Sequence, residues 1–458
     1  MKLPEQFIER TKELIGNDWR LFNESLRENV PVSIRTNPSK GKKQLKAEKV
    51  PWCNSACYLD KRPAFTFDPL FHAGCYYPQE ASSMFVEQVV KQYVNEDVCV
   101  LDLCAAPGGK STHLLSLLTK NSLLVSNEVI RSRANILSEN IVKWGCPNVI
   151  VTNNDPSEIG QLEGYFDVIL VDAPCSGEGM FRKDKRAIEE WSEANVQLCK
   201  ERQQRILADI WTALKPNGVL IYSTCTYNTA ENEENIQWVC NTLGAEPLNI
   251  EVSKEWNITN ALKGNLPTYR FLPHQTKGEG FFLAAVRKSK METGVQINKY
   301  RHRKGDKQKK IQLENVYRNY VKNSESYSFI ESDGKWTAIP YTFIDNYNYL
   351  SSFLRIVSAG VEIGGQKGKD FIPSHSLAMS IQFNHDVFPS IEVDWKTAIS
   401  YLRKESIVLS VEAPKGYILL TYCHVPLGFV KNIGNRANNL YPQEWRIRSG
   451  NVPEYFEF

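Results

Sequence analysis

A series of short apolar runs, bounded by Gly, Asp, Asn and Pro, most constrains what this chain can fold into. The runs are VCVLDL at 98–103, SLLVS at 122–126, NVIVT at 148–152, FDVILV at 166–171, GVLIYS at 218–223 and GFFLAAV at 280–286. Segments this short and this apolar read as strands buried on both faces. Helical periodicity fills several of the intervals, most clearly at 110–118, 131–143 and 198–214. Strand and helix alternating in this way predict an α/β unit, a mostly parallel sheet with helices on both faces. In such sheets ligands bind at the carboxyl ends of the strands.

The chain has 458 residues, more than one ordinary domain. Residues 1–95 mix helix-like and turn-rich pieces and read as an N-terminal extension. The α/β domain takes 96–288. A polar, basic stretch at 289–312 reads as a linker, 313–372 as a small aromatic-rich middle domain, and 373–458 as a compact β-rich domain with runs such as YILLTYC at 417–423. No apolar run approaches the roughly 18–20 residues of a membrane-spanning helix, so no membrane is expected as a partner. The first residues, MKLPEQFIERTKELIG, read as an amphipathic helix rather than a secretion signal. Eleven scattered cysteines suit a reducing cytoplasm better than a disulfide framework. Cys53, Cys57 and Cys75 have no second close pair, so no metal is expected. Nothing in the pattern suggests an oligomer, and a monomer is the expectation.

Net charge is only +3, but its distribution is uneven. Lys40, Lys42, Lys43, Lys46 and Lys49 form one basic stretch. Lys299, Arg301, Arg303, Lys304, Lys307, Lys309 and Lys310 form another. Each is either a phosphate-binding patch or a solvated linker.

Chemistry concentrates at the strand ends. The first strand runs through Asp102 into Cys104, Ala105, Ala106, Pro107, Gly108, Gly109 and Lys110, where a helix begins. Paired glycines let a ligand approach the backbone, and helix-start amides can face its polar groups. The dinucleotide pattern Gly-x-Gly-x-x-Gly is absent, which points to a single nucleoside. Glu128 follows the second strand, where an acid can hold ribose hydroxyls. Asp155 follows the third, within reach of an adenine amino group, and Asp172 ends the fourth. Two cysteines share this edge: Cys175 in D-A-P-C-S-G and Cys225 in S-T-C-T. Thiols in polar loops at a ligand-binding edge are candidate nucleophiles. From these residues alone, either one can be the attacking group.

Together, D-L-C-A-A-P-G-G-K, D-A-P-C-S-G and S-T-C-T resemble the Sun-type RNA cytosine-5 methyltransferases, and most of all their bacterial RsmF-like branch. Arg35-Thr36-Asn37, the Y-P-Q-E-A-S-S run at 77–83 and G-E-G-M-F-R-K-D at 177–184 extend the resemblance over nearly the whole chain. It implies a Rossmann-like S-adenosylmethionine-dependent core, an N-terminal α+β extension and a C-terminal PUA-like RNA-binding domain. It implies that Cys104 to Lys110, Glu128, Asp155 and Asp172 hold S-adenosylmethionine. It also assigns the cysteines. The nucleophile in this family follows a threonine, which is Cys225, and the proline-linked Cys175 assists release. Carbon-5 of cytosine is a weak nucleophile, and a thiolate added at carbon-6 activates it. Asp172 would meet ring nitrogen 3. Arg35, Arg182 and Lys183 are the candidate RNA contacts. The implied partner is small-subunit (16S) ribosomal RNA or the small ribosomal subunit, not DNA. A tRNA methyltransferase and a non-catalytic ribosome assembly protein are the alternatives. His375 and the aromatic segment 343–355 are read as structural.

Overall fold

The computed structural model describes residues 2–41, 47–289 and 313–456. Lys42, Lys43, Lys46 and the whole basic cluster from Lys299 to Lys310 lie outside them, as does all of the 289–312 stretch except Ser289.

Four sheets organise the described residues. The central one has nine strands. Its parallel part runs Leu214–Thr224, Phe166–Asp172, Cys99–Asp102, Leu123–Asn127, Val149–Thr152, side by side. These are five of the six apolar runs singled out above, and the sixth, Phe281–Lys288, also joins the sheet. That strand lies antiparallel to Leu214–Thr224, with Ala245–Leu248 and Thr268–Phe271 antiparallel to it in turn. The helices Gly109–Leu117, Arg131–Trp144 and Glu193–Trp211 fall in the intervals that periodicity marked. Both faces of the sheet are covered, by two separate apolar clusters.

Strand order reverses at Cys99–Asp102, whose neighbours are the second and fourth core strands. That crevice is the expected ligand position for an open α/β sheet. Three smaller sheets, each of four strands, complete the described residues. The N-terminal one orders Lys49–Val50, Cys53–Leu59, Val32–Thr36 and Tyr76–Pro78. It delivers Tyr77 to Glu80 to the mouth of the crevice. The third sheet, with strands between Tyr327 and Pro373, belongs to the middle segment. From that segment the strand Ile356–Ala359 departs and pairs antiparallel with Val149–Thr152, extending the central sheet. The aromatic segment 343–355 packs as core: Phe343, Leu350 and Leu354 are buried, and Tyr349 stacks on Tyr165. The fourth sheet, Ser390–Glu392, Gly416–Tyr422, Val425–Asn432 and Ala437–Asn439, forms the β-rich C-terminal domain. No described helix is long and apolar enough to cross a membrane.

Candidate active site

A cavity of about 400 Å³ opens at the carboxyl edge of the central sheet, within the usual size of small-molecule sites. Its floor is the turn after Cys99–Asp102. Gly108 caps the following helix at φ 115°, and a Cβ there would sit 3.3 Å from Leu137 Cδ1. The helix Arg131–Trp144 fixes this turn from behind: Arg133 donates to the Ala106 carbonyl and Asn140 to the Pro107 carbonyl, at 2.9 and 2.8 Å.

Asp102 lines the cavity with no solvent exposure. Ser111 donates to its Oδ2 at 2.6 Å, while Oδ1 has no partner. Burial first, then the nearby Asp172 and Glu128, push this carboxyl up to about 7 against the help of Ser111 and Lys110. Lys110 Nζ meets Asp172 Oδ2 at 2.7 Å, and Ser223 donates to Asp172 Oδ1 at 2.7 Å. Burial opposes the Lys110 charge, but Asp172 and Asp102 outweigh it and hold the ammonium above its ordinary value.

The two cysteines come together. Cys175 Sγ and Cys225 Sγ lie 3.3 Å apart as free thiols. Their positions differ: Cys225 lines the cavity beside Lys110 and Asp172, and Cys175 does not line it. The Cys175 thiol is pushed well above its ordinary value by its hydrogen bond with Cys225 and by burial.

Cys104, Ala105, Ala106, Pro107, Gly109, Lys110 and Asp172 also line the cavity. Glu128 and Asp155 do not. Glu128 is buried at the end of its strand, accepting from the Ile130 amide at 2.9 Å and facing Arg133 at 3.3 Å. Beside it Val129 and Ile130 are half exposed, an apolar edge that the motif reading passed over. Asp155 caps the short helix Pro156–Gly160, taking the Ser157 amide and hydroxyl.

The RNA-contact expectations divide. Arg35 is not a surface cation, so the expectation that it contacts RNA fails on burial. It is wholly buried, donating to Gln79 Oε1 at 2.9 Å, Thr112 Oγ1 at 2.6 Å and the Gly109 carbonyl at 3.2 Å, above the Trp144 ring. It braces the cofactor turn against the N-terminal sheet. Arg182 is half-buried and donates to the Gly278 and Asn29 carbonyls. Lys183 lines the cavity rim and pairs with Glu279.

Sequence reasoning missed two buried acids behind the cysteines. Glu178 accepts the Tyr227 and Asn228 amides at 2.9 and 3.0 Å, just past Cys225. Glu231 accepts the Ser176 amide at 3.0 Å, just past Cys175. An acid in a polar stretch normally signals a solvated surface, so Glu178 was given no role within the G-E-G-M-F-R-K-D run and nothing local marked Glu231.

Of Cys53, Cys57 and Cys75, only Cys53 joins a cluster of metal-ligating side chains among the described residues, with Glu87 and His113. His113 meets Glu87 at 2.9 Å, and Lys91 pairs with the same carboxylate. The cluster reads as a buried hydrogen-bonded tie between the N-terminal sheet and two helices. His375 is buried against Tyr441 and Trp445 and does not line the cavity.

Residues 89–287 match the family described as 16S rRNA methyltransferase RsmB/F. Residues 3–81 match the N-terminal domain of 16S rRNA methyltransferase RsmF, and 388–447 the methyltransferase RsmF PUA domain. The chain is 31% identical to ribosomal RNA small subunit methyltransferase F of Shewanella loihica, over 87% of this chain and 83% of that one. It is 30% identical to the same-named protein of Photobacterium profundum, over 96% and 97%. A methyltransferase homolog protein from Pyrococcus horikoshii superposes with a TM-score of 0.54 at 30% identity, over 62% of this chain and 95% of that one. NSun6 from Pyrococcus horikoshii, solved with SFG, shares the fold at a TM-score of 0.55 and 22% identity, over 63% and 99%.

Proposed function

Since the chain belongs to the RsmF family of 16S rRNA methyltransferases, S-adenosylmethionine-dependent enzymes, we propose that it methylates carbon-5 of a cytosine in small-subunit ribosomal RNA, in the cytoplasm, with Cys225 as nucleophile. The observation that carries this reading is the placement of Cys225. Cys225 lines the cavity beside the Lys110–Asp172 pair, while Cys175, its sulfur 3.3 Å from that of Cys225, is off the lining.

The residues present fit the cofactor. The free Oδ1 of Asp102 suits a cationic amino group, and Gly109 keeps side-chain bulk out of the cavity floor. Glu128, with Val129 and Ile130 beside it, offers a carboxylate and an apolar edge for a ribose and a base. When bound, S-adenosylmethionine supplies an electrophilic methyl group on a sulfonium sulfur. A cytosine must leave its stack to reach Cys225. Once its thiol has lost the proton, the Cys225 sulfur bonds to carbon-6 and the ring electrons move to carbon-5, where the methyl group would be received as the sulfonium becomes a neutral thioether. The charged Lys110 stabilises the base while it carries the extra electron pair, and Asp172 would serve ring nitrogen 3 as a carboxylic acid that donates a hydrogen bond to it. Loss of the carbon-5 proton then breaks the sulfur–carbon-6 bond and restores the ring. Cys175 is the group next to Cys225 at that step, and its high pKa suits a thiol exchanging a proton with it. Lys183, on the rim, would take RNA phosphate in place of Glu279.

Sequencing of 5-methylcytosine in ribosomal RNA tests the reading. Cells lacking the gene are expected to lose one or more small-subunit sites, restored by the wild type and not by Cys225→Ala. Unchanged ribosomal RNA, with the loss in tRNA instead, would replace the substrate.

A further inference from the structure

Glu231 and Asn232 are adjacent, have no solvent exposure, and lie outside the cavity. Each reaches one cysteine loop. Two donors converge on each Glu231 oxygen. Oε2 accepts the Ser176 amide at 3.0 Å and Gln203 Nε2 at 2.7 Å. Oε1 accepts the Ser176 hydroxyl and Asn228 Nδ2, the latter at 2.7 Å. The same Gln203 amide donates to the Pro174 carbonyl at 3.0 Å. Cys175 is therefore gripped through the residue before it and the residue after it. Asn232 does the same for Cys225. Its Oδ1 accepts the Thr224 hydroxyl at 2.6 Å, and its Nδ2 donates to the Thr226 carbonyl at 3.0 Å. Ser176 and Thr226 then join the two loops through their hydroxyls at 2.9 Å.

We propose that Glu231 and Asn232 are paired positioning residues, Glu231 setting the place of Cys175 and Asn232 the place of Cys225, so that the two sulfurs meet at the separation release requires. This rests on the roles given to the cysteines above. Four donors around one side chain call for a carboxylate, which accepts only. A glutamine at 231 sets an amide donor against two of them. An aspartate at 232 turns the donor toward Thr226 into an acceptor facing a carbonyl.

The test compares Glu231→Gln and Asn232→Asp with the wild type, Cys175→Ala and Cys225→Ala. The first readout is the rate at which oxidised dithiothreitol, used as a probe, forms a Cys175–Cys225 disulfide. The two thiols give up two electrons and two protons, and the probe becomes the dithiol. Both near-isosteric variants are expected to slow this about tenfold or more, since displacement of about 1 Å is enough to cost such factors. The second readout is reaction with RNA and labelled cofactor. Glu231→Gln is expected to transfer methyl in a single turnover and then persist as a covalent RNA adduct, like Cys175→Ala. Asn232→Asp is expected to lose the first transfer and trap little RNA. Affinity for S-adenosylmethionine stays within about twofold in both. Wild-type disulfide rates in both variants, or equal loss of transfer, release and cofactor affinity, would overturn the proposal. If Cys175→Ala itself traps no RNA, the cysteine roles fall, and the disulfide rates still decide the clamp.

Discussion

Asp102 sits at the end of its strand with one oxygen held by Ser111 and the other without a partner. Its carboxyl, pushed up to about 7 by burial, would ionise near 4 in an unfolded chain. The sign follows: in the cofactor-free protein the native state binds more protons between about pH 4 and 7, so stability falls as pH rises through that window. A cationic amino group against Oδ1 favours the ionised form, so binding releases a proton below about pH 7. Calorimetry is expected to show cofactor affinity weakening as pH drops below about 7, with Asp102→Asn binding about tenfold weaker and lacking that dependence. Parallel pH profiles for the two would contradict the assignment. The cofactor turn was legible because its chemistry is local, a strand end, two glycines and a helix start. Arg35 was not, because an arginine code letter carries charge but not burial. Only the nonlocal acceptors at Gln79, Gly109 and Thr112 make it a brace.

The first helix, Glu5–Ile15, shows how an element far from the cavity supports it. Phe7 is fully buried, 5.1 Å from the Phe181 ring and 5.8 Å from Trp191. One turn on, Arg10 meets Glu178 at 2.5 Å, and Glu178 holds the amides that follow Cys225. Phe7→Ala is expected to cost about 3–5 kcal/mol. Below its lowered melting temperature it should reduce turnover more than cofactor affinity, measured by paired activity and binding titrations. Equal effects on both would remove the link. Core strands were readable because parallel strands buried on both faces are continuous apolar runs. The direction of Phe281–Lys288 and the joining of Ile356–Ala359 to Val149–Thr152 were not readable, since strand partners some 60 and some 200 residues away leave no local trace.

At the scale of the whole molecule, the N- and C-terminal parts share one core. Ile34, Cys57 and Phe65 pack in the same cluster as Ile399, Tyr401 and Ile418, and Trp395 donates to the Phe67 carbonyl at 2.9 Å. Truncation at 373 would bare that cluster, so point changes are the cleaner probes of RNA binding. Burial and nearby lysines push His72 and His375 at this seam down to about 3. Both are neutral when folded and protonate near 6.5 when unfolded, so stability is lost as pH falls from about 6.5 toward 3. The two histidines lose more over this window than the single Asp102 carboxyl gains, so melting temperature is expected to drop between about pH 7 and 5, and to drop less in His375→Leu. The seam was invisible in the sequence because the contacts that cross it join residues far apart in the chain, as Trp395 and Phe67 are. The cysteine edge, by contrast, was visible as two motifs, and its geometry bears the central claim. The measurement that tests it most directly is transfer of tritiated methyl from S-adenosylmethionine to small-subunit ribosomal RNA by wild type, Cys225→Ala and Cys175→Ala, with covalent adducts resolved on denaturing gels. The account predicts label at cytosine carbon-5 with the wild type, none with Cys225→Ala, and a persistent protein–RNA adduct with Cys175→Ala. A dead Cys175→Ala together with an RNA-trapping Cys225→Ala would contradict it.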